Sequence, residues 1–292
     1  MYELVQVSKS CYYIDCPAKI GLVQVGEGEA VLIDSGNDKD AGKKVLRILK
    51  EKGLSLRAIY NTHSHADHIG GNAYLQAQTG CKVYAPEGEL SFVRSPIQEP
   101  MFLYGGMPPK DLCHKFLMAK GSEALPLTEA SLPEGLSLLS LPGHSLSMVG
   151  VQSQEGVAYL ADCLASEESL SKYQVSYLVD VQGYLDTLRR VEEMKGLSLI
   201  PAHAPAGEDL SLLARKNIEK VEEILELVVS LCREPCCLED VIQKVFSHYQ
   251  LTMDFTQYAL VGSTLRSYVS YLRNQGRIEP FFQENRLLWR AV

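Results

Sequence analysis

The stretch Asn61-Thr62-His63-Ser64-His65-Ala66-Asp67-His68-Ile69-Gly70-Gly71 is the most informative part of this 292-residue chain. Three of the seven histidines and one aspartate occupy six positions, directly after the strand-like residues 57–60. Imidazole and carboxylate groups are ligands that a divalent ion such as zinc selects, and a tight turn lets alternate residues converge on one point. The two glycines are expected to let the backbone turn sharply into a helix near residues 72–78. The stretch therefore predicts a metal site at the end of a strand.

Composition is typical of a globular protein. Hydrophobic residues make up 46% of the chain and charged residues 22%, which excludes a disordered chain, and no uninterrupted apolar run is long enough to cross a membrane. The first residues lack the basic start of a signal peptide, and the eight cysteines have no regular spacing. These features predict a cytoplasmic protein without a membrane partner.

The residues around the histidine stretch follow an α/β order. Short β-branched and aromatic runs at 12–14, 21–25 and 30–34 predict strands, and the apolar stripe over 38–52 predicts a helix that ends at Gly53. The next strand leads into the histidines. Ligands at the carboxyl end of a strand are placed where open α/β sheets form their sites.

Three further polar residues each follow a predicted strand. His144 comes after residues 137–141 in the sequence Pro-Gly-His, Asp162 ends the run that starts at Val157, and His203 follows residues 197–202. Taken singly, each is weak support for a ligand, because a histidine at a strand end is commonly a hydrogen-bonded surface residue. The order of these residues along the chain is a stronger indication of a metal site.

That order, HxHxDH, then PGH, then a strand-end aspartate and a strand-end histidine, resembles the metallo-β-lactamase fold at every ligand position. The resemblance implies an α/β protein whose residues 1–207 form an αββα sandwich, with the site at one edge of its two sheets. It also implies two metal ions. One would be bound by His63, His65 and His144, and the other by Asp67, His68 and His203, with Asp162 bridging the pair.

The resemblance further implies a mechanism. Two divalent ions, zinc first and iron or manganese as alternatives, would share a bridging hydroxide that attacks the substrate, and Asp67 would orient that hydroxide or carry its proton. Asp34 resembles an aspartate that supports the ligands in this family, although a turn-capping role is equally open. Flavodiiron oxidoreductases of the superfamily usually have glutamate where this chain has His65, so a hydrolase is favoured.

The leading function is a dinuclear metal-dependent hydrolase of a small ester, thioester or lactone, since the pattern around His63 and His144 is similar to that of glyoxalase II. The alternative is a metal-dependent nuclease or RNA-processing phosphodiesterase, and a third possibility is an iron-dependent oxidoreductase. The small-molecule hydrolase and the nuclease would differ most in how they use the C-terminal residues.

Residues 86–134 interrupt the strand-helix order with seven prolines and the pair Gly105-Gly106. Their aromatic and methionine side chains predict a lid-like insertion that lines a substrate pocket, with Phe102 and Tyr104 as substrate-binding residues. The alternative is a helical hairpin packed on the core. His114, in this segment, and Cys163, beside Asp162, are predicted to be structural.

Residues 208–292 predict helices followed by a hairpin, which resembles a smaller winged-helix domain. Residues 210–292 contain ten basic and ten acidic residues, so the net charge of −8 lies in the first 209 residues. Such a tail lacks the basic face that phosphate binding requires, which disfavours a nucleic-acid partner even if Arg266, Arg273 and Arg277 cluster. The tail is instead predicted to complete the wall of a small-molecule pocket or to form a homo-oligomer interface.

Overall fold

The computed structural model describes residues 2–292 and contains two large sheets. The first sheet has seven strands in sequential order, antiparallel from β1 to β4 and parallel from β4 to β7. Its strands are β1 (Glu3–Gln6), β2 (Cys11–Asp15), β3 (Ile20–Gly26), β4 (Glu29–Ile33), β5 (Ser55–Tyr60), β6 (Lys82–Ala85) and β7 (Leu125–Pro126).

The second sheet has four strands in the order β11-β10-β9-β8, of which only β10 and β11 are parallel. A separate hairpin closes the chain. The strands of the second sheet are β8 (Leu136–Ser140), β9 (Val149–Ser153), β10 (Val157–Ala161) and β11 (Ser198–Pro201), and those of the hairpin are β12 (Ile278–Gln283) and β13 (Arg286–Ala291).

Helices cover the outer faces of the two large sheets, so the layers follow the expected αββα order. One apolar cluster joins the first sheet to α1 and α3, and another joins the second sheet to the helices from α7 onward. The helices are α1 (Lys39–Glu51), α2 (Ala66–Ile69), α3 (Asn72–Thr79), α4 (Leu90–Arg94), α5 (Gln98–Tyr104), α6 (Glu167–Tyr173), α7 (Val181–Glu193), α8 (Ser211–Leu231), α9 (Leu238–His248) and α10 (Phe255–Asn274).

A third apolar cluster fills the space between the two sheets. It combines side chains such as Val31 and Tyr60 from the first sheet with Val151 and Tyr159 from the second. The Tyr159 hydroxyl donates a hydrogen bond of 2.8 Å to the backbone carbonyl of Tyr12, so a side chain of one sheet is anchored on the backbone of the other. Because both sheets bury one face here, their strand ends are held together at the edge of the sandwich.

The sequence predicts most of the long elements but not every short strand and helix. Strands β1, β7 and β9 and helix α6 are not among the predicted elements. Helix α10 is continuous through Gly262, although glycine is unfavourable inside a helix. A Cβ at Gly262 would lie 3.3 Å from the Cδ1 atom of Ile242 in α9, so this glycine allows the two helices to pack closely and does not end a helix.

Residues 86–134 form short helices that pack against the C-terminal part of the chain. Leu103, Leu112 and Leu117 make a small buried cluster with Ala259 of α10. Apolar side chains at the outer end of this segment, including Phe102 and Met107, are exposed. The segment is thus fixed on α10 by an apolar contact of its own.

The tail consists of α8, α9 and α10 followed by the β12–β13 hairpin, which is the predicted order of helices and hairpin. Residue Cys236 also pairs with Trp289 through an isolated bridge. The buried side chains of these helices belong to the same cluster as those of α7 and β10, so the tail shares a core with the second sheet. Its classification as a winged helix, and as a domain beginning at residue 208, stays a prediction. Among residues 2–292, the structure has no helix that combines the length and apolarity required to cross a bilayer.

Candidate metal centre

The histidine stretch forms the loop between β5 and α3, and its two glycines have a different role from the predicted one. Gly70 and Gly71 have ordinary right-handed helical backbone angles. A Cβ at Gly71 would collide with the carbonyl oxygen of Ser35, and one at Gly70 would collide with the backbone of Asn37. The glycines therefore permit close approach of the loop that follows β4. That approach is fixed by a 2.8 Å hydrogen bond from the Ser35 backbone N–H to the carbonyl of His68.

Three histidines converge to form the first ligand group. Nδ1 of His65 lies 3.0 Å from Nε2 of His63 and 2.9 Å from Nε2 of His144, although His144 follows β8 of the other sheet. His63 is fully buried, and the side chains of His65 and His144 are 15% and 14% exposed. The three nitrogens could therefore bind one ion, as the sequence predicts.

The second ligand group contains Asp67, His68, Asp162 and His203. Nε2 of His203 lies 3.0 Å from Oδ2 of Asp67 and 3.2 Å from Oδ2 of Asp162. The same Asp162 oxygen is 3.4 Å from Nε2 of His144 in the first group. Asp162 thus contacts members of both groups, which is the position expected for a bridging carboxylate.

Two buried atoms in the second group have no hydrogen-bond partner within residues 2–292. They are Nε2 of His68 and Oδ1 of Asp162. These atoms lie 3.1 Å apart but are not aligned as a hydrogen bond. Buried polar atoms without partners are costly, and a shared cation would satisfy both. Together with the nitrogen and carboxylate donor set, this observation fits a divalent metal.

Asp34 orients one histidine of each group. Its Oδ2 atom lies 2.8 Å from Nδ1 of His68 and accepts a 2.8 Å hydrogen bond from the Thr62 hydroxyl. Because that hydroxyl donates to Asp34, it can accept from Nδ1 of His63, which lies 3.0 Å away. Both histidines would then carry a proton on Nδ1, leaving Nε2 free for a metal.

The two remaining histidines that present Nε2 are held by backbone carbonyls. Nδ1 of His144 lies 3.0 Å from the carbonyl oxygen of Tyr177, and Nδ1 of His203 lies 2.9 Å from that of Pro17. A donor at Nδ1 again leaves Nε2 as the ligand atom. In all four cases the surroundings select the same tautomer.

The electrostatics of the two groups differ. Burial lowers the pKa of His144 to about 4 and that of His63 well below its usual value. In the second group, Asp162 raises the pKa of His203 to about 10 against the effect of burial. Burial also opposes protonation of His68, but Asp162, Asp67 and Asp34 outweigh it and raise its pKa. Without metal, the first group is therefore neutral at pH 7, whereas the second holds protons.

A buried glutamate from α5 lies behind His65. The Oε1 atom of Glu99 is 3.7 Å from Nε2 of His65, and burial together with nearby Glu89 raises the pKa of Glu99 to about 8. Neither glutamate was identified from the sequence. Their segment has no motif, and only the tertiary structure brings them to the histidines.

A cavity of about 570 Å³ opens directly onto the second ligand group. Its walls come from α6 and α10 and from the residues between β10 and α7, and three of the predicted ligands, His144, Asp162 and His203, border it. Apolar parts of the wall include Leu164, Val175 and Leu260, and polar parts include Ser169, Lys172 and Thr264.

Phe102 and Tyr104 do not line this cavity, so its geometry does not support their predicted role as substrate-binding residues. Tyr104 instead packs edge-on against Phe255, with ring centroids 6.3 Å apart. Phe102 is more than half exposed and lies edge-on to Phe92, with ring centroids 6.3 Å apart. His114 lies 3.2 Å from the hydroxyl of Thr256 and is in neither ligand group, and Cys163 is buried beneath the site.

Comparison with known proteins identifies the family. The sequence profile of the metallo-beta-lactamase superfamily matches residues 13–203, which include all seven predicted ligands. The chain belongs to the metallo-beta-lactamase superfamily. The match confirms the predicted α/β fold and the class of metal-dependent hydrolases.

Several relatives of this metallo-beta-lactamase superfamily member are similar over part of their length. The beta-lactamase-like protein 2 homolog of Drosophila melanogaster is 22% identical over 226 residues, covering 74% of this chain and 70% of that protein. A hydroxyacylglutathione hydrolase from Methylobacillus flagellatus is 30% identical over 138 residues, or 47% of this chain and 44% of that protein. One from Albidiferax ferrireducens is 38% identical over 80 residues, or 27% and 28%. The chain spans less than half the length of these two hydrolases.

Two solved structures share the fold over nearly the whole chain. A beta-lactamase domain protein from Burkholderia ambifaria superposes with a TM-score of 0.78 at 16% identity, covering 99% of this chain and 94% of that one. A metallo-beta-lactamase family protein from Thermus thermophilus gives a TM-score of 0.72 at 18% identity, covering 100% and 98%. The C-terminal helices are therefore part of a fold that recurs in this superfamily.

Proposed function

We propose that this chain is a dinuclear metal-dependent hydrolase of a small thioester, with esters and lactones as related substrates. The observation that carries the proposal is that Asp162 of the second ligand group also contacts His144 of the first, and that both residues line a cavity of about 570 Å³. Cavities of roughly 300–1,000 Å³ suit small molecules. The relatives named hydroxyacylglutathione hydrolases support a thioester as the substrate class.

The carboxylates and the histidines of the site would have different roles in hydrolysis. Bound divalent ions would supply Lewis acidity and lower the pKa of water. Asp67 has a 40% exposed side chain beside His203, and its Oδ2 can orient a water molecule and hold its proton. Asp162 contributes negative charge to both groups, which offsets repulsion between two closely spaced cations. Four of the five histidines would hold fixed tautomers through Asp34, Thr62 and the backbone carbonyls.

Zinc is the proposed metal, because a set of five histidines and two carboxylates matches its preferred ligands. His65 in the second ligand position favours this assignment over an iron-dependent oxidoreductase. The free state of all eight cysteines, which lie within the described residues, supports a location in the reducing cytoplasm.

The structure offers little support for a nuclease. Arg277, one of three tail arginines that could contact phosphate, is paired with Glu226 through contacts of 2.9 and 2.8 Å. Residues 208–292, which we propose as a C-terminal domain, instead place Leu260 and Thr264 of α10 in the cavity wall. We infer that the tail shapes a pocket for a small molecule.

One experiment tests the proposal. Purified protein with its metals quantified is assayed against acyl-glutathione thioesters, lactones and single-stranded RNA. We expect two ions per chain and thioester hydrolysis that a chelator removes and zinc restores. A ceiling of one ion per chain in metal-replete protein, or hydrolysis of RNA alone, would overturn the proposal.

A further inference from the structure

Glu89 is a buried carboxylate outside the seven ligands. It ends the 3₁₀ turn Glu87–Glu89 that begins the segment 86–134, and only 4% of it is exposed. The Ser64 hydroxyl donates to its Oε2 at 2.6 Å. The Ser145 hydroxyl and the Ser147 backbone N–H donate to its Oε1 at 2.9 and 3.1 Å. Both oxygens of the carboxylate are therefore used.

The donors belong to the two loops that carry the first ligand group. Ser64 lies between His63 and His65, and Ser145 follows His144 directly. These loops extend from different sheets, so their relative position is not fixed by strand pairing. Glu89 joins them through one rigid carboxylate. The neighbouring Gly88 makes this contact possible, because a Cβ at Gly88 would collide with the Ser147 hydroxyl.

Among residues 2–292, no cationic side chain lies within 4.0 Å of the Glu89 carboxylate. A buried carboxylate is costly unless it is hydrogen-bonded and its charge is compensated. The first ligand group consists of three imidazoles and no carboxylate of its own, so an ion bound there would provide the missing positive charge. The second group, in contrast, contains Asp67 and Asp162.

We propose that Glu89 is the positioning residue of the first ligand group: it ties the loops of His63, His65 and His144 together and supplies that group with negative charge. The inference rests on the proposed dinuclear metal centre. Glu89 touches neither the ligand nitrogens nor the cavity, and it acts through the backbone geometry of the two loops. Its effect should therefore be confined to one of the two ions.

The test is the metal affinity of Glu89→Gln, measured by competition with a chromophoric chelator using zinc. We expect one of the two affinities to fall by about 10- to 100-fold, the usual effect of losing a residue that holds a ligand, while the other stays within about twofold. Glu155→Gln is a matched control. Glu155 accepts hydrogen bonds from the Ser8 and Ser10 hydroxyls and the Ser10 backbone N–H, but lies at the opposite end of β10 from Asp162.

Two variants that each disrupt one ligand group show which of the two ions depends on Glu89. In His203→Ala, where the first group is intact, Glu89→Gln should weaken the remaining ion. In His144→Ala, where the second group is intact, it should leave the remaining ion unchanged. Equal weakening in both backgrounds, or no weakening in either, would overturn the proposal. A wild-type protein that binds no zinc would overturn the metal centre as well, which separates the two failures.

Two further variants cover the case in which Glu89→Gln does not fold. Ser64→Ala and Ser145→Ala each remove one donor and leave the carboxylate in place, and circular dichroism checks that they fold. Each should weaken the same ion in the His203→Ala background by a smaller factor. Wild-type affinity in both serine variants would overturn the proposal.

Discussion

Oδ2 of Asp34 lies 2.8 Å from Nδ1 of His68, and the same oxygen accepts the hydroxyl proton of Thr62. Since Thr62 in turn contacts Nδ1 of His63, one carboxylate orders a ligand of each group. Asp34 adopts a left-handed backbone conformation with φ of 66°, which aspartate and asparagine tolerate better than most residues. The sequence leaves the role of Asp34 open between supporting the ligands and capping a turn, and these contacts favour the first role.

Replacing Asp34 by asparagine should weaken both ions by about 10- to 100-fold, because the amide removes the charge that holds His68 and Thr62. Competition titration with zinc measures both affinities. The control is Asp38→Asn, which changes the nearby carboxylate that caps α1 and should leave metal binding unchanged, since asparagine is an equally good cap. If Asp34→Asn weakened only the ion of the second group, the contacts from Asp34 through Thr62 to His63 would not contribute to metal affinity.

Replacing Asp162 by alanine should remove the second ion and most hydrolytic activity, because this carboxylate contacts both groups. Metal analysis after dialysis gives the stoichiometry, and a thioester assay gives kcat. Asp186→Ala, at an exposed ion pair with Arg189, serves as the control. Retention of two ions per chain in Asp162→Ala would refute the bridging role.

Metal binding should release protons from the second group. The pKa of His203 is raised to about 10 in the metal-free protein, so at pH 7.5 an incoming ion must displace its proton. Affinity for that ion should rise by about tenfold per pH unit for each proton displaced, until the pH passes about 10. Calorimetry at pH 7.5 in buffers of different ionisation enthalpy measures the release. An observed enthalpy that does not depend on the buffer would contradict this expectation.

Leu260→Trp should place a large side chain in the cavity wall and raise KM or exclude longer acyl groups, with metal content unchanged. Phe102→Ala is the informative comparison, because Phe102 lies outside the cavity lining and should leave KM within about twofold. Steady-state kinetics over thioesters of increasing acyl length would measure both. A large effect of Phe102→Ala with none of Leu260→Trp would restore residues 86–134 as the substrate lid.

RNA binding should be weak at 150 mM salt, where charges are screened beyond about 8 Å. The residues beyond 209 have no net charge, and Arg277 is already paired with Glu226. Fluorescence anisotropy with single-stranded RNA, repeated for alanine variants of Arg266, Arg273 and Arg277, measures affinity and its salt dependence. Micromolar or tighter binding that these variants abolish would favour the nuclease.

The seven candidate ligands could be picked out from the sequence because they follow from local patterns. One loop contains four of them, His63, His65, Asp67 and His68. Each of the other three follows a strand, and the apolar run of that strand indicates where it ends. The structure brings all seven together, as the sequence implied. Periodicity also placed most helices and strands, since each buries one face.

Features that depend on packing between distant segments were not predictable. Glu89 lies in a stretch without a motif, and its role emerges only when two loops reach it. The aromatic content of residues 86–134 indicated an apolar surface but could not show that α10 covers part of it. Gly70 and Gly71 were correctly noted, but the reason for them is the backbone of residues 35–37, which lies nearby only in the folded protein.

Each ligand group draws on both halves of the sandwich, and its last member comes late in the chain. The first group needs His144 from beyond β8, and the second needs His203 from beyond β11. A chain that has formed only its first sheet offers just the ligands of one loop, so tight coordination has to wait until the second sheet has paired. We therefore expect metal capture to be a late event in folding. It would then stabilise a tertiary arrangement that has already formed, without guiding the early steps that build it.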